Sequence, residues 1–140
     1  MWITGWRWGA HYYIRAVFIC ERLRIREPVV LLIDTGASTT TFFAEDIGLS
    51  ITVYQELPPS ATVITLSGLQ RPRKLIYEAR LVFTTVVGRP HVVDLARCDV
   101  IGRRSVGIER PLHFQGILGM DTINSFRRWS ADGQCIVFEI

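Results

Sequence analysis

Residues 32–38 read Leu-Ile-Asp-Thr-Gly-Ala-Ser, and Asp34 follows directly on the apolar run 29–33. A carboxylate that leaves a buried strand is costly to desolvate unless the next residues supply hydrogen-bond donors. Thr35 offers a hydroxyl. Gly36, with no side chain, lets backbone N–H groups close around the carboxylate. Ala37 and Ser38 are small and leave room above it. A carboxylate held in this way can take up or give a proton in acid–base chemistry. It can equally be an Asx turn that ends a strand, with Asp34 bonding its own loop. On Asp-Thr-Gly alone, even after an apolar run, the Asx turn is the reading to prefer.

A second segment, residues 116–126, reads Gly-Ile-Leu-Gly-Met-Asp-Thr-Ile-Asn-Ser-Phe. Together the two segments resemble the retroviral-type (retropepsin-like) aspartic proteases. In that family an apolar-apolar-Asp-Thr-Gly-Ala loop is followed by an apolar-apolar-Gly strand and a short helix. The layout is similar from about residue 23 to residue 140, so the chain is expected to be one domain over 1–140. The resemblance implies that Asp34 is the catalytic aspartate. It implies that the Thr35 hydroxyl reaches the partner subunit's loop, and that Gly36 presents its backbone to a peptide substrate. Ala37, Ser38 and Ile117 are expected to border the substrate, with Ile117 in a pocket wall. Ser67, Gly68 and Leu69 fall where the family has its mobile flap tip. Gly119 is expected to let its strand pack closely on the active-site loop. The viral enzymes usually carry an acidic residue where Ser38 stands and an arginine where Met120 stands. The joint absence of both looks like the cellular branch with Asp-Thr-Gly-Ala-Ser.

Family chemistry needs two carboxylates in contact, sharing one proton because both cannot ionise cheaply. This sequence holds one Asp-Thr-Gly; Asp132-Gly133 lacks both the middle residue and the apolar lead-in. An active enzyme is therefore expected to be a homodimer with the two Asp34 residues on its two-fold axis. The expected activity is that of an aspartic endopeptidase acting on a peptide or protein. The alternative is a catalytically silent retropepsin-like domain used for dimerisation or peptide binding.

The elements that must position these residues are short strands between turn signals. Residues 11–25 are rich in aromatic and β-branched types, and Leu23 and Ile25 alternate with arginines. Glu27-Pro28 is expected to break this strand, and with the run 29–33, which reads as a strand buried on both faces, it predicts a hairpin. Residues 42–48 suit one helical turn closed by Gly48. Strands are expected over 61–66 and beyond 71–73, with Ser67-Gly68 turning between them. Tyr77, Ala79, Leu81 and Phe83 should form one apolar face. A strand over 91–96, a charged loop over 102–111 and a short amphipathic helix over 121–129 follow. Asp132-Gly133 predicts a hairpin turn into a terminal strand, 134–140. The sum is an all-β fold: a small closed acid-protease-like barrel with a flap hairpin and one short C-terminal helix. The tryptophans at 2, 6 and 8 read as filler of the core or of a subunit interface.

Composition narrows the function. Of 140 residues 49% are hydrophobic and 21% charged, with a net charge of +3, which excludes a disordered chain. No apolar run approaches the length of a membrane span, and residues 1–8 do not read as a secretory signal. Lys74 is the only lysine among sixteen basic residues. An arginine-rich surface and a pI near 9.0 admit a nucleic-acid binder, but no basic stretch carries interleaved aromatics, so none is expected. Arg71, Arg73 and Lys74 read as a solvated face, and Asp94 and Asp99 as polar positions near a strand end. His11, His91 and His113 show no ligand spacing, so neither a metal nor another cofactor is expected. Cys20, Cys98 and Cys135 form no close pair, and an odd count points to a reducing, cytoplasmic setting; a Cys20–Cys135 bridge stays open.

Overall fold

A computed structural model describes residues 1–66, 69–102 and 114–140, with side chains at all of these except 61–71. The chain runs β1 (Trp2–Trp8), β2 (His11–Cys20), β3 (Ile25–Ile33), β4 (Thr41–Phe43), a 3-10 turn (Ala44–Ile47) and α1 (Ile51–Glu56). It continues through β5 (Pro59–Leu66), β6 (Leu69–Thr84), β7 (Pro90–Ile101), β8 (Gly116–Leu118), α2 (Met120–Ile123), β9 (Arg128–Ala131) and β10 (Cys135–Glu139). No helix among the described residues is long and apolar enough to cross a membrane.

Pairing runs β6-β7-β4-β8-β3-β2, and β2 bonds back to β6, so these strands form a ring. β1, β10 and β9 extend the sheet from β2, and β5 extends it from β6. The β2–β3 hairpin turns at residues 21–24 and not at Glu27-Pro28, which pair within β3 opposite Phe18 and Val17, and it is in register from Cys20–Ile25 to Tyr12–Ile33. β3 is apolar on both faces because both are covered. Val29 and Leu31 enter the main core, while Val30 and Leu32 pack on a second cluster around Tyr13, Phe43, Phe114 and Ile117. Its free edge takes β8 in parallel, Leu32 opposite Ile117. Gly48 ends the 3-10 turn at φ +80°, the left-handed conformation that suits glycine.

Two further local expectations, the facing of Tyr77 and the length of the last helix, are corrected. Ala79, Leu81 and Phe83 are buried, but Tyr77 is 37% exposed and Ile76 takes its place inside. Glu78 sits at φ +59° and breaks the alternation between Tyr77 and Ala79. The helix expected over 121–129 stops at Ile123. Ile123 and Phe126 are buried as expected, yet β10 offers an edge, and β9 pairs along it with Arg128 opposite Glu139. The N-terminal aromatic stretch is a strand, β1, paired to both β10 and β2. Trp6 stacks on Tyr13 with centroids 6.0 Å apart, while Trp2 and Trp8 remain exposed. Helix α1 has no counterpart in the sequence reading; the Ser50 side chain caps it by accepting from the Val53 N–H at 3.1 Å.

Candidate active site

Asp34 stands where β3 leaves the ring. Its backbone N–H bonds the Leu118 carbonyl at 3.1 Å, extending the β3–β8 contact by one residue. The chain then turns: the Ala37 N–H donates to the Asp34 carbonyl at 3.1 Å. The Gly36 N–H donates to Asp34 Oδ1 at 2.8 Å. A Cβ on Gly36 would lie 3.2 Å from that same oxygen, tight enough to disturb it. Thr35 and Gly36 are exposed at the loop tip and Asp34 is half-buried, so the carboxylate is supported from below and open above.

The return arm of the loop is tied to the second segment. The Ala37 and Ser38 carbonyls accept from the Met120 and Asp121 N–H groups at 2.8 and 3.2 Å. The Asp121 carboxylate accepts from the Thr40 N–H at 2.9 and 3.0 Å and from its hydroxyl at 2.7 Å. It also accepts from the neighbouring Thr122 N–H at 2.7 Å, within α2. Gly119 makes this approach possible. A Cβ there would fall 2.4 Å from the Thr39 carbonyl carbon, and its N–H donates to Thr40 Oγ1 at 3.1 Å. Ile117 is buried in the second cluster, against which Ala37 packs. The structure thus brings Asp34, Thr35, Gly36, Ala37, Ser38 and Ile117 to one end of the ring. Of the flap-tip residues, Ser67 and Gly68 lie outside the described residues. Leu69 is placed by its backbone, opposite Leu66. Most of the expected charged loop, 103–111, also lies outside.

Sequence reasoning missed a charged group beside this loop. Arg73 is not on a solvated face. Its Nη1 lies 2.6 Å from Asp99 Oδ2 and donates to Thr39 Oγ1 at 2.9 Å, and the Thr39 hydroxyl donates to the same Oδ2 at 2.7 Å. The two side chains are only 13% and 6% exposed. The one available signal was Asp99 at the apolar end of a strand. Lys74 turns the other way and donates to the Gln55 and Leu57 carbonyls, each at 3.1 Å, at the end of α1. Cys98 is buried close by. Burial first, then the nearby Cys20, Asp99 and Asp121, push its thiol above the usual range, which keeps it protonated and inert. All three cysteines are free thiols.

The sequence matches no family model and no curated protein. In structure, the chain is similar to a crystal structure of a retropepsin-like aspartic protease from Rickettsia conorii. The TM-score is 0.60 over 99% of this chain and 90% of that one, at 18% sequence identity. The likeness is one of fold: strands, ring and short helix are arranged as in a retropepsin-like aspartic protease.

Proposed function

We propose that the chain is a single-domain aspartic endopeptidase of the cellular, Asp-Thr-Gly-Ala-Ser type, working as a homodimer in the cytoplasm. The observation that carries this reading is the Asp34 loop: on a retropepsin-like fold, one carboxylate is held from below by the Gly36 N–H and open above. A single such loop per chain supports a dyad made by two copies, and the exposure of Thr35 at the loop tip is consistent with a contact across the two-fold axis. The three free cysteines support a reducing compartment.

In the dyad one Asp34 is ionised and the other protonated. The ionised carboxylate takes a proton from a water whose oxygen attacks the peptide carbonyl carbon. The protonated partner gives its proton to the carbonyl oxygen as charge develops there. Collapse of the tetrahedral species returns that proton to the carboxylate. The C–N bond breaks, and the other carboxyl protonates the leaving nitrogen. The peptide lies as an extended strand between the loops and the β5–β6 hairpin, held by main-chain hydrogen bonds. Incubation with a mixed peptide library across acid and neutral pH tests this. Cleavage with a bell-shaped pH profile, absent in Asp34→Asn, is expected. Cleavage that persists in Asp34→Asn would place the chemistry elsewhere. Peptide binding without cleavage would favour the silent domain.

A further inference from the structure

Between the β5–β6 hairpin, β7 and the end of the Asp34 loop lies a cleft of about 770 Å³. That is room for several residues of an extended peptide. Ser38, Thr39, Arg73, Asp94, Arg97 and Asp99 line it. The Asp34 chemistry uses none of these charges. Arg73 reaches from β6 across β7, where Asp99 stands, to Thr39 just before β4. Among the described residues, both side-chain hydrogen bonds to the Asp99 carboxylate end on Oδ2, which leaves Oδ1 for a donor from the cleft.

We infer that this cleft is a subsite for a neutral amide side chain, glutamine or asparagine, of the bound peptide, read by Asp99 and Arg73. The inference rests on the proteolytic reading above. An aliphatic side chain would cut the ion pair off from its remaining water and offer no partner in return. The cleft carries both signs of charge, Arg73 and Arg97 beside Asp94, Asp99 and Asp121, so a lysine and a glutamate each bring their charge against like charges. An amide carries no charge, donates to Asp99 and sets its carbonyl dipole toward the guanidinium. A site built to hydrogen-bond a group rejects analogues that lack it far more sharply than an apolar pocket rejects a homologue.

The test is a peptide panel in which each position beside the cut carries Gln, Asn, Leu, Val, Lys or Glu in turn. Wild-type protein should favour the amides at one position by about tenfold in kcat/KM. The double variant Arg73→Met/Asp99→Leu replaces a buried ion pair with apolar groups of similar size, a change such sites often tolerate. It should reverse the preference toward Leu and Val. Should it fail to fold by circular dichroism, the isosteric Asp99→Asn should bring the ratio close to one. Aliphatic or flat preference at every position, or a preference unchanged in the folded variants, overturns the inference and leaves the protease reading standing. If nothing is cut, the panel is titrated onto Asp34→Asn by calorimetry. Selective binding of amide peptides then keeps the subsite and removes the hydrolysis, and no selective binding removes the subsite.

Discussion

The Asp121 carboxylate holds the Thr40 backbone N–H and hydroxyl together, with the hydroxyl contact at 2.7 Å across eighty-one residues of sequence. The joint is a carboxylate against a fully buried hydroxyl and amide. Thr40 also accepts from the Gly119 N–H and shares a 2.7 Å hydrogen bond with the Thr122 hydroxyl. The Asp34 loop is thus anchored on α2 by hydrogen bonds that include a charged acceptor, the stronger kind.

Thr40→Val is the sharpest probe of that anchor. It keeps the shape and leaves the buried Gly119 N–H without its acceptor. An orphaned buried donor costs about 1–3 kcal/mol, which for a chain of this size lowers Tm by roughly 3–12 °C. Thermal unfolding followed by circular dichroism reads it directly. An unchanged Tm would mean that the hydroxyl contributes nothing to the joint.

Gly119→Ala should destabilise the same joint by crowding rather than by a lost acceptor. The new Cβ would meet the Thr39 carbonyl carbon at 2.4 Å and its oxygen at 2.5 Å, and backbone cannot swing aside as a side-chain end does. Overpacking of this kind costs about 1–3 kcal/mol. It also displaces the loop that carries Asp34, so peptide cleavage should fall along with Tm. Gly133→Ala is the control, because its Cβ would come no closer than 4.0 Å to any side chain nearby. Denaturant midpoints of the two variants should separate clearly.

The parts of this fold legible in the sequence are those fixed by neighbours along the chain. The run 29–33 reads as a doubly covered strand because apolar residues at consecutive positions must face both ways. Gly48 reads as a cap because the turn before it needs a left-handed residue. What escaped depends on partners far away. Arg73 is buried only because Asp99 waits on the next strand. Tyr77 is turned outward by the backbone of Glu78, whose side-chain type gives no warning of φ +59°. The helix after Asp121 is short because β10 competes for the residues beyond Phe126.

Asp132 gives the terminal hairpin a dependence on pH. Its Oδ1 accepts from the Gln134 and Cys135 N–H groups at 2.7 and 2.9 Å. These bonds favour the ionised form and hold its carboxyl below the ordinary 3.8. A folded value below the unfolded one means that the stabilisation is present above the unfolded value and lost as pH falls through the folded one. Asp132→Asn removes the titration. Chemical unfolding of both proteins between pH 6 and about 2 should show the wild-type advantage shrinking below pH 4 or so. A gap that stays constant would remove Asp132 from the acid response.

Subunit mixing tests whether two Asp34 carboxylates make one catalytic centre. A chain of 16.0 kDa that dimerises should scatter light as a particle of about twice that mass, and Asp34→Asn should do the same, since the amide keeps the shape of the carboxylate. If the copies exchange freely, wild-type chains mixed with an equal amount of Asp34→Asn chains pair at random. About half of the wild-type chains then sit opposite an amide, in dimers that lack the second carboxylate. Activity per wild-type chain should therefore drop to about half, and to about a tenth at a ninefold excess of the variant. The decline should follow the fraction of wild-type pairs whatever peptide is used, because the loss lies in the dyad and not in binding. A monomeric enzyme, or one whose single Asp34 suffices, would keep full activity per wild-type chain at every ratio. That result would break the dyad even if Asp34→Asn alone proved inactive.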